Sequence, residues 1–236
     1  MMISKHIDSP VLLIDSGLLI VLIVGALIFA SCYHYDEEEI SIPVSANSSC
    51  PDANHPHMID LGLPSRTKWA CCNLGAESPE QSGGYYAWGE NYVKEIYVQG
   101  NYTHIDSVTR NYINIGLDIA NTEYDAATTN WGTQWQMPSS AQFQELIDYC
   151  TSEWVTENTA DGRKFTGPNG QSIFLPASGW REDMLFYSQK RGGYWSSSCS
   201  KSEPMQAEGL YFSSEFVVVD RNGRSYGNTV RPVCND

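Results

Sequence analysis

Cysteine, histidine and paired carboxylates are the side chains here that could act as nucleophile, general base or metal ligand. The chain carries seven Cys and five His in 236 residues. Every His (His6, His34, His55, His57 and His104) lies at or before position 104. A Ser-His-Asp site could therefore draw only on His104, and no nucleophile elbow accompanies it. His55-Pro56-His57 offers two imidazoles, but proline stiffens the spacing and no helix presents them, so a surface loop is the simpler reading and no metal is expected. Glu182-Asp183 is a carboxylate pair whose adjacent members rarely face one substrate, and the neighbouring Arg181 reads as charge compensation. No glycine-rich phosphate loop follows a strand and no dinucleotide fingerprint occurs, so no cofactor is expected.

Composition narrows the partners further. Lys and Arg number 14 against 28 Asp and Glu, a formal net charge of -14, which argues against a nucleic-acid backbone as ligand. It also argues against adhesion of the protein surface to anionic lipid. With 42% apolar and 12% aromatic residues the chain has the material for a packed core. Its beginning is different in kind. Leu18 to Ala30 (LLIVLIVGALIFA) is an uninterrupted apolar run, roughly 20 Å long as a helix and short of the ~30 Å hydrocarbon core. That length suits a secretory signal better than a spanning anchor, the alternative. Ala30-Ser31-Cys32 resembles a bacterial lipoprotein signal, which implies cleavage before Cys32 and lipidation of its thiol. Phe29 stands where that motif usually has Leu, and Asp8 and Asp15 depart from its positive start. The acidic run Asp36 to Glu39 reads as a solvated tether; it also resembles the export signal that sends some lipoproteins to the cell surface. Outer-membrane or cell-surface placement is thus expected, through a lipid anchor only. The chain divides into a signal peptide at 1–31, an acidic and polar tether at 32–54, and a folded domain at 55–236.

Lipidation of Cys32 leaves Cys50, Cys71, Cys72, Cys150, Cys199 and Cys234, an even set in an exported chain where disulfides are permitted. Six cysteines allow 15 pairings and the sequence does not choose among them; buried thiols are the alternative. Adjacent Cys71 and Cys72 would face opposite sides of a strand.

The elements that must position these groups are short. Strands are expected at Met58–Leu61 and Thr67–Asn73 around Gly62-Leu63-Pro64-Ser65, and at Tyr85–Trp88 after a Gly-Gly break. A long polar excursion rich in Tyr and Asn, 92–124, follows; long loops often carry binding function. One helix is clear at Ser139–Cys150. Pro138 precedes it, Ser139 with Gln142 makes a capping box, and Phe143, Leu146, Ile147 and Cys150 share one face. Further strands are expected at 154–157, 163–166, 172–175, 193–197, 209–212, 215–219 and 228–233. Gly167-Pro168-Asn169-Gly170 and Asp220-Arg221-Asn222-Gly223 are read as turns, the second an Asn-Gly hairpin. One or two helices with seven or more strands make an α+β domain.

Six phrases, HMIDLGLPSRTKWACCNLGA (57–76), GGYYAWGE (83–90), YDAATTNWGTQWQMPSSAQFQELIDYC (124–150), TGPNGQSIFLPASGWR (166–181), GGYWSSS (192–198) and NTVRPV (228–233), resemble the Fibrobacter succinogenes major paralogous domain. The resemblance implies a C-type-lectin-like fold with twisted antiparallel sheets and long loops, but no particular reaction. Two functions of that fold can be tested on residues. Calcium-dependent sugar binding would use Gly167-Pro168-Asn169 and Cys234-Asn235-Asp236. The first lacks a leading carboxylate or amide and the second has Cys in place of Trp, far short of the six to eight oxygens calcium needs. Oxidation of the formylglycine-generating kind would rest on Cys199, which has no second Cys nearby in sequence; a structural disulfide, with Cys234 as one partner, is the simpler reading.

Aromatics remain. Most of the seven Trp, five by expectation, belong in a core. Tyr92, Tyr97, Tyr102, Tyr112 and Tyr124 alternate with Asn and Thr, a pattern suited to sugar stacking or protein contact; the competing reading is a loop pinned by packed Tyr. Candidate ligand-binding residues are Tyr92, Tyr97, Tyr102, Tyr112, Trp180 and Arg181. The function expected is a non-enzymatic binding module for glycan or protein on a surface lipoprotein. A formylglycine-type oxidoreductase or decayed relative, and a structural or adhesin subunit of a surface assembly, are the alternatives.

Overall fold

The computed structural model describes residues 58–234. The signal segment 1–31, Cys32, the tether and Cys50 lie outside these residues, as do Asn235 and Asp236.

β1 (Met58–Asp60) and β2 (Lys68–Ala70) pair antiparallel about a turn closed by the Arg66 N–H on the Leu63 carbonyl, 2.9 Å. Residues 71–73, expected to extend β2, leave the strand, yet Cys71 and Cys72 are both buried in the core. Tyr85–Trp88 is not a strand either. It makes one bridge, Tyr86 to Asn228, with Tyr86 and Trp88 packed in one buried cluster and Tyr85 in another. The excursion that follows is almost free of regular structure, with one 3-10 turn at Gln99–Asn101.

α1 (Ala126–Trp131) starts at Asp125, whose carboxylate accepts the Ala127 and Thr128 N–H groups. α2 (Ser140–Tyr149) has the expected capping box, Ser139 and Gln142 each receiving the other's backbone N–H. Such a cap is worth about 1 kcal/mol. Phe143 and Leu146 are buried on one face, while Cys150 caps the end half-exposed.

β3 (Thr151–Glu157), β4 (Ala160–Thr166) and β5 (Ser172–Pro176) form one antiparallel sheet, with the 167–170 turn joining the last two. β6 (Trp180–Arg181) and β7 (Leu185–Phe186) make a two-stranded hairpin. β8 (Gly192–Cys199), β9 (Gln206–Phe212) and β10 (Val217–Gly223) form a third sheet with β9 central. The Asn-Gly turn expected at 220–223 is absent, since those residues complete β10 against β9. The chain instead reverses at Ser213–Phe216, closed by the Ser213 N–H on the Phe216 carbonyl, 2.9 Å. β11 (Val233–Cys234), shorter than the strand expected at 228–233, returns to pair with β2. Among the described residues no helix is long and apolar enough to cross a membrane. The domain is α+β, dominated by antiparallel sheet.

α2 packs on the β8–β9–β10 sheet, and Trp69, Phe143, Phe165, Leu175, Tyr194 and Phe212 fill the main core. A second cluster gathers on Trp88 and Trp195. Four of the seven Trp are fully buried rather than five: Trp69, Trp88, Trp135 and Trp195. Trp131 and Trp154 lean on the core from its edge. Buried polar groups tie these clusters together. Arg231, fully buried, donates to the Asn73 Oδ1 at 2.8 Å and to the carbonyls of Ala70 and Phe174 at 3.0 and 2.8 Å.

Among the described residues no two cysteines are joined by a disulfide. Cys71 and Cys72 sit in the main core, Cys199 in the second cluster, Cys150 at the helix end and Cys234 on β11.

Candidate functional site

The six aromatic and basic candidates separate into three environments. Tyr97 and Tyr102 are interior. The Tyr97 hydroxyl donates to the Tyr85 carbonyl, and the Tyr102 hydroxyl donates to the Trp88 carbonyl at 2.6 Å. Their polar tips are used inside the fold, so the pinned-loop reading holds for both. Around Tyr102 a cage closes. The Arg224 guanidinium, 2% exposed, lies 4.7 Å from the Trp88 ring centre, 5.6 Å from Tyr102 and 5.5 Å from Tyr112. It donates to the Tyr102 hydroxyl at 3.0 Å, to the Pro204 carbonyl at 3.1 Å and to the Ile113 carbonyl at 3.3 Å. A buried charge tolerates burial only when paired and hydrogen-bonded; here rings and carbonyls do that work. Burial pushes the Tyr102 hydroxyl well above its ordinary pKa, more than the Arg224 charge lowers it. Nearby, buried Glu90 receives the Thr103 N–H and hydroxyl at 2.8 and 2.6 Å and pairs with Lys94 at 2.6 Å. These bonds fix the excursion to the body.

Tyr92 is 48% exposed and belongs elsewhere, with its hydroxyl 2.8 Å from that of Thr103 at the rim of a hollow of about 240 Å³. His104 and Tyr124 share that hollow. His104 contacts the Gly89 carbonyl at 2.8 Å. Burial holds its pKa below the ordinary value, against the opposing pull of that bond. The imidazole is therefore neutral near pH 7.

Tyr112 walls one groove, whose lining takes in neither Trp180 nor Arg181 but the next residue, Glu182. It encloses about 470 Å³ beside Gln99, Tyr112, Glu182, Gln206, Asn222 and Tyr226, with Met205 exposed at its side. Two elements build it. β6 carries Trp180 and leads into Glu182, and the last turn after β10 carries Tyr226. The Arg181 N–H donates to the Gly227 carbonyl at 2.8 Å and the Gly227 N–H returns to Arg181 at 2.9 Å. In that antiparallel register Glu182 stands opposite Tyr226. The Tyr226 hydroxyl is accordingly raised above its ordinary pKa, first by burial and then by the Glu182 charge. Arg181 does not compensate Glu182 as expected. It turns to the other side, 5.1 Å over the Tyr85 ring, while Glu182 accepts the Trp180 indole N–H at 3.2 Å.

The arrangement offers rings for stacking, planar amides and a carboxylate for hydrogen bonds, and no reactive nucleophile. Cys199 lines a different hollow, of about 490 Å³, with Lys201 and Arg221; that hollow has no aromatic wall. Burial raises the Cys199 thiol above its ordinary pKa and pushes Cys150 up to about 11. Thiol chemistry needs the reverse shift. Asn169, weighed above as a calcium ligand, donates to the Asp60 carbonyl at 2.8 Å and accepts the Gln171 N–H at 3.0 Å, so it is engaged in holding its own turn.

Sequence reasoning passed over Tyr226, Gln206 and Asn222. Their neighbours read as strand or turn, and only the bridge between residues 181 and 227 brings them to Glu182. No family model, no curated protein and no solved structure matches the chain.

Proposed function

We propose that the chain is a non-enzymatic carbohydrate-binding module of the Fibrobacter succinogenes major paralogous family, C-type-lectin-like in fold and carried at the cell surface on a lipid at Cys32. The observation that carries the binding role is the groove at Glu182. The Tyr112 and Tyr226 rings, three amide side chains and one carboxylate in its lining are the chemistry that holds a sugar, rings against its C–H face and planar polar groups on its hydroxyls. The antiparallel sheets with their long 92–124 excursion support the fold reading. The apolar run ending at Ala30-Ser31-Cys32 supports the anchor.

A glycan array probed with the full chain, held in a detergent that is not itself a glycoside, tests the proposal. Binding to a defined set of glycans is expected, weakened about tenfold by Tyr226→Ala and by Glu182→Gln. A flat array, or binding that both substitutions leave intact, overturns it.

A further inference from the structure

Beyond the groove, aromatic surface continues along the molecule. Trp180, on the same side of β6 as Glu182, stacks on Tyr187 with ring centres 4.8 Å apart and planes 36° from parallel. Arg191 lies 4.5 Å from the Tyr187 ring centre and 5.9 Å from that of Phe216. Tyr187 is 45% exposed and Phe216 39%, the latter displayed by the β9–β10 turn. The series therefore runs Tyr112, Tyr226, Glu182, Trp180, Tyr187, Phe216, half of it inside the groove and half outside. Glu182 joins the halves: it walls the groove and accepts the Trp180 indole N–H.

The backbone holds Tyr187 in place at a cost. Its φ of 56° is in the left-handed region, where a bulky L-residue is a strained outlier. Such strain persists only where the surroundings over-determine it and concentrates at functional surfaces. Here the carbonyl of Tyr187 accepts the N–H groups of Lys190 and Arg191, both at 3.0 Å, and the Gln189 N–H donates to the Ala177 carbonyl at 2.8 Å. Gly179 (φ 67°) lets the hairpin pass, since a Cβ there would lie 2.0 Å from the Phe186 carbonyl oxygen. A ring kept exposed in a strained, well-fastened loop is positioned for contact rather than for the core.

We infer that the carbohydrate site is extended: an oligosaccharide chain lies with one end in the groove at Tyr112 and Tyr226, passes Glu182, and stacks its further units on the Trp180–Tyr187–Phe216 surface. The inference rests on the carbohydrate reading above. It adds that the module selects chain length, with the groove supplying recognition and the outer rings supplying avidity for longer chains.

The experiment measures affinity of the full chain for ladders of cello-, xylo-, manno- and chito-oligosaccharides, from disaccharide to hexasaccharide. For the ladder that binds, affinity is expected to rise by about tenfold or more from the shortest to the longest member. Tyr187→Asn, chosen because Asn accepts the left-handed backbone, should remove that gain and leave disaccharide affinity within about twofold. Phe216→Ala, on a separate element without strained backbone, should remove part of it. Tyr226→Ala should weaken every member. Equal affinity at all lengths, or a length-dependent gain that survives both Tyr187→Asn and Phe216→Ala, overturns the extended site while leaving the groove reading intact. Absence of binding by every ladder and on the array overturns both.

Discussion

Two regions of this domain place an arginine against aromatic rings, and they serve opposite ends. Around Arg224 the rings of Trp88, Tyr102 and Tyr112 close over a buried guanidinium whose donors are all directed to protein oxygens. Around Arg191 the rings of Tyr187 and Phe216 lie open to solvent beside a groove. Residue types do not separate the two. What separates them is burial: Trp88 and Tyr102 are sealed with their polar tips on backbone carbonyls, while Tyr187 and Phe216 are exposed. Tyr112 belongs to both, stacked beneath by Arg224 and walling the groove above. The sealed cage is thus the footing on which one side of the open site stands.

Substitutions can break this contrast, and the strongest is Arg224→Met. It strands the Ile113 and Pro204 carbonyls and the Tyr102 hydroxyl, and should cost about 3–5 kcal/mol. In a domain of this size that is a fall of roughly 10 °C in thermal midpoint, read by circular dichroism. Arg191→Met should stay within about 0.5 kcal/mol. Equal losses from the two would abolish the distinction. Next, Tyr102→Phe removes the hydroxyl linking Trp88 to Arg224 and should cost about 1–2 kcal/mol in chemical denaturation. On the open side, Tyr187→Asn should change stability by no more than about 1 kcal/mol, because lost ring stacking and relieved backbone strain offset each other. A large loss in denaturant would show that this ring is structural after all.

The smallest effect is a pH dependence. His104 has its folded pKa below the ordinary value, so its neutral form is the one the fold favours. Its contribution is complete above the unfolded value near 6.5 and is lost as pH falls through 6.5 toward the lower folded pKa. Wild type should therefore lose stability on acidification over that range, and His104→Gln should lose less. Identical slopes for the two proteins would place the imidazole outside the packed surroundings of the cage.

Legibility in the sequence followed the range of the interactions. α2 was readable because its cap, Ser139 with Gln142, and its apolar face all lie within one short segment. The 167–170 turn was readable for the same reason. α1 went unpredicted since two Thr and one Asn interrupt its six residues; the signal that could have found it is Asp125 ahead of Ala126-Ala127. Asn222-Gly223 looked like a reversal, but the paired β9 edge carries β10 through it. In the site, polar neighbours left Tyr97 and Tyr102 open between surface contact and a loop pinned by packed Tyr. The partner that seals Tyr102, Arg224, lies 122 residues away and gives no local sign. Tyr226, Tyr187 and Phe216 escaped notice because separate turns bring them together.

β11 pairs with β2, and Arg231 just before it bonds Asn73 and Ala70, 158 and 161 residues earlier. The first sheet and the main core are therefore finished only when residues 231–234 meet residues 68–73. Such long-range closure makes folding slow, in the millisecond-to-second range or beyond, and leaves earlier segments exposed meanwhile. Loss of residues 233–234 would leave the first sheet without its third strand.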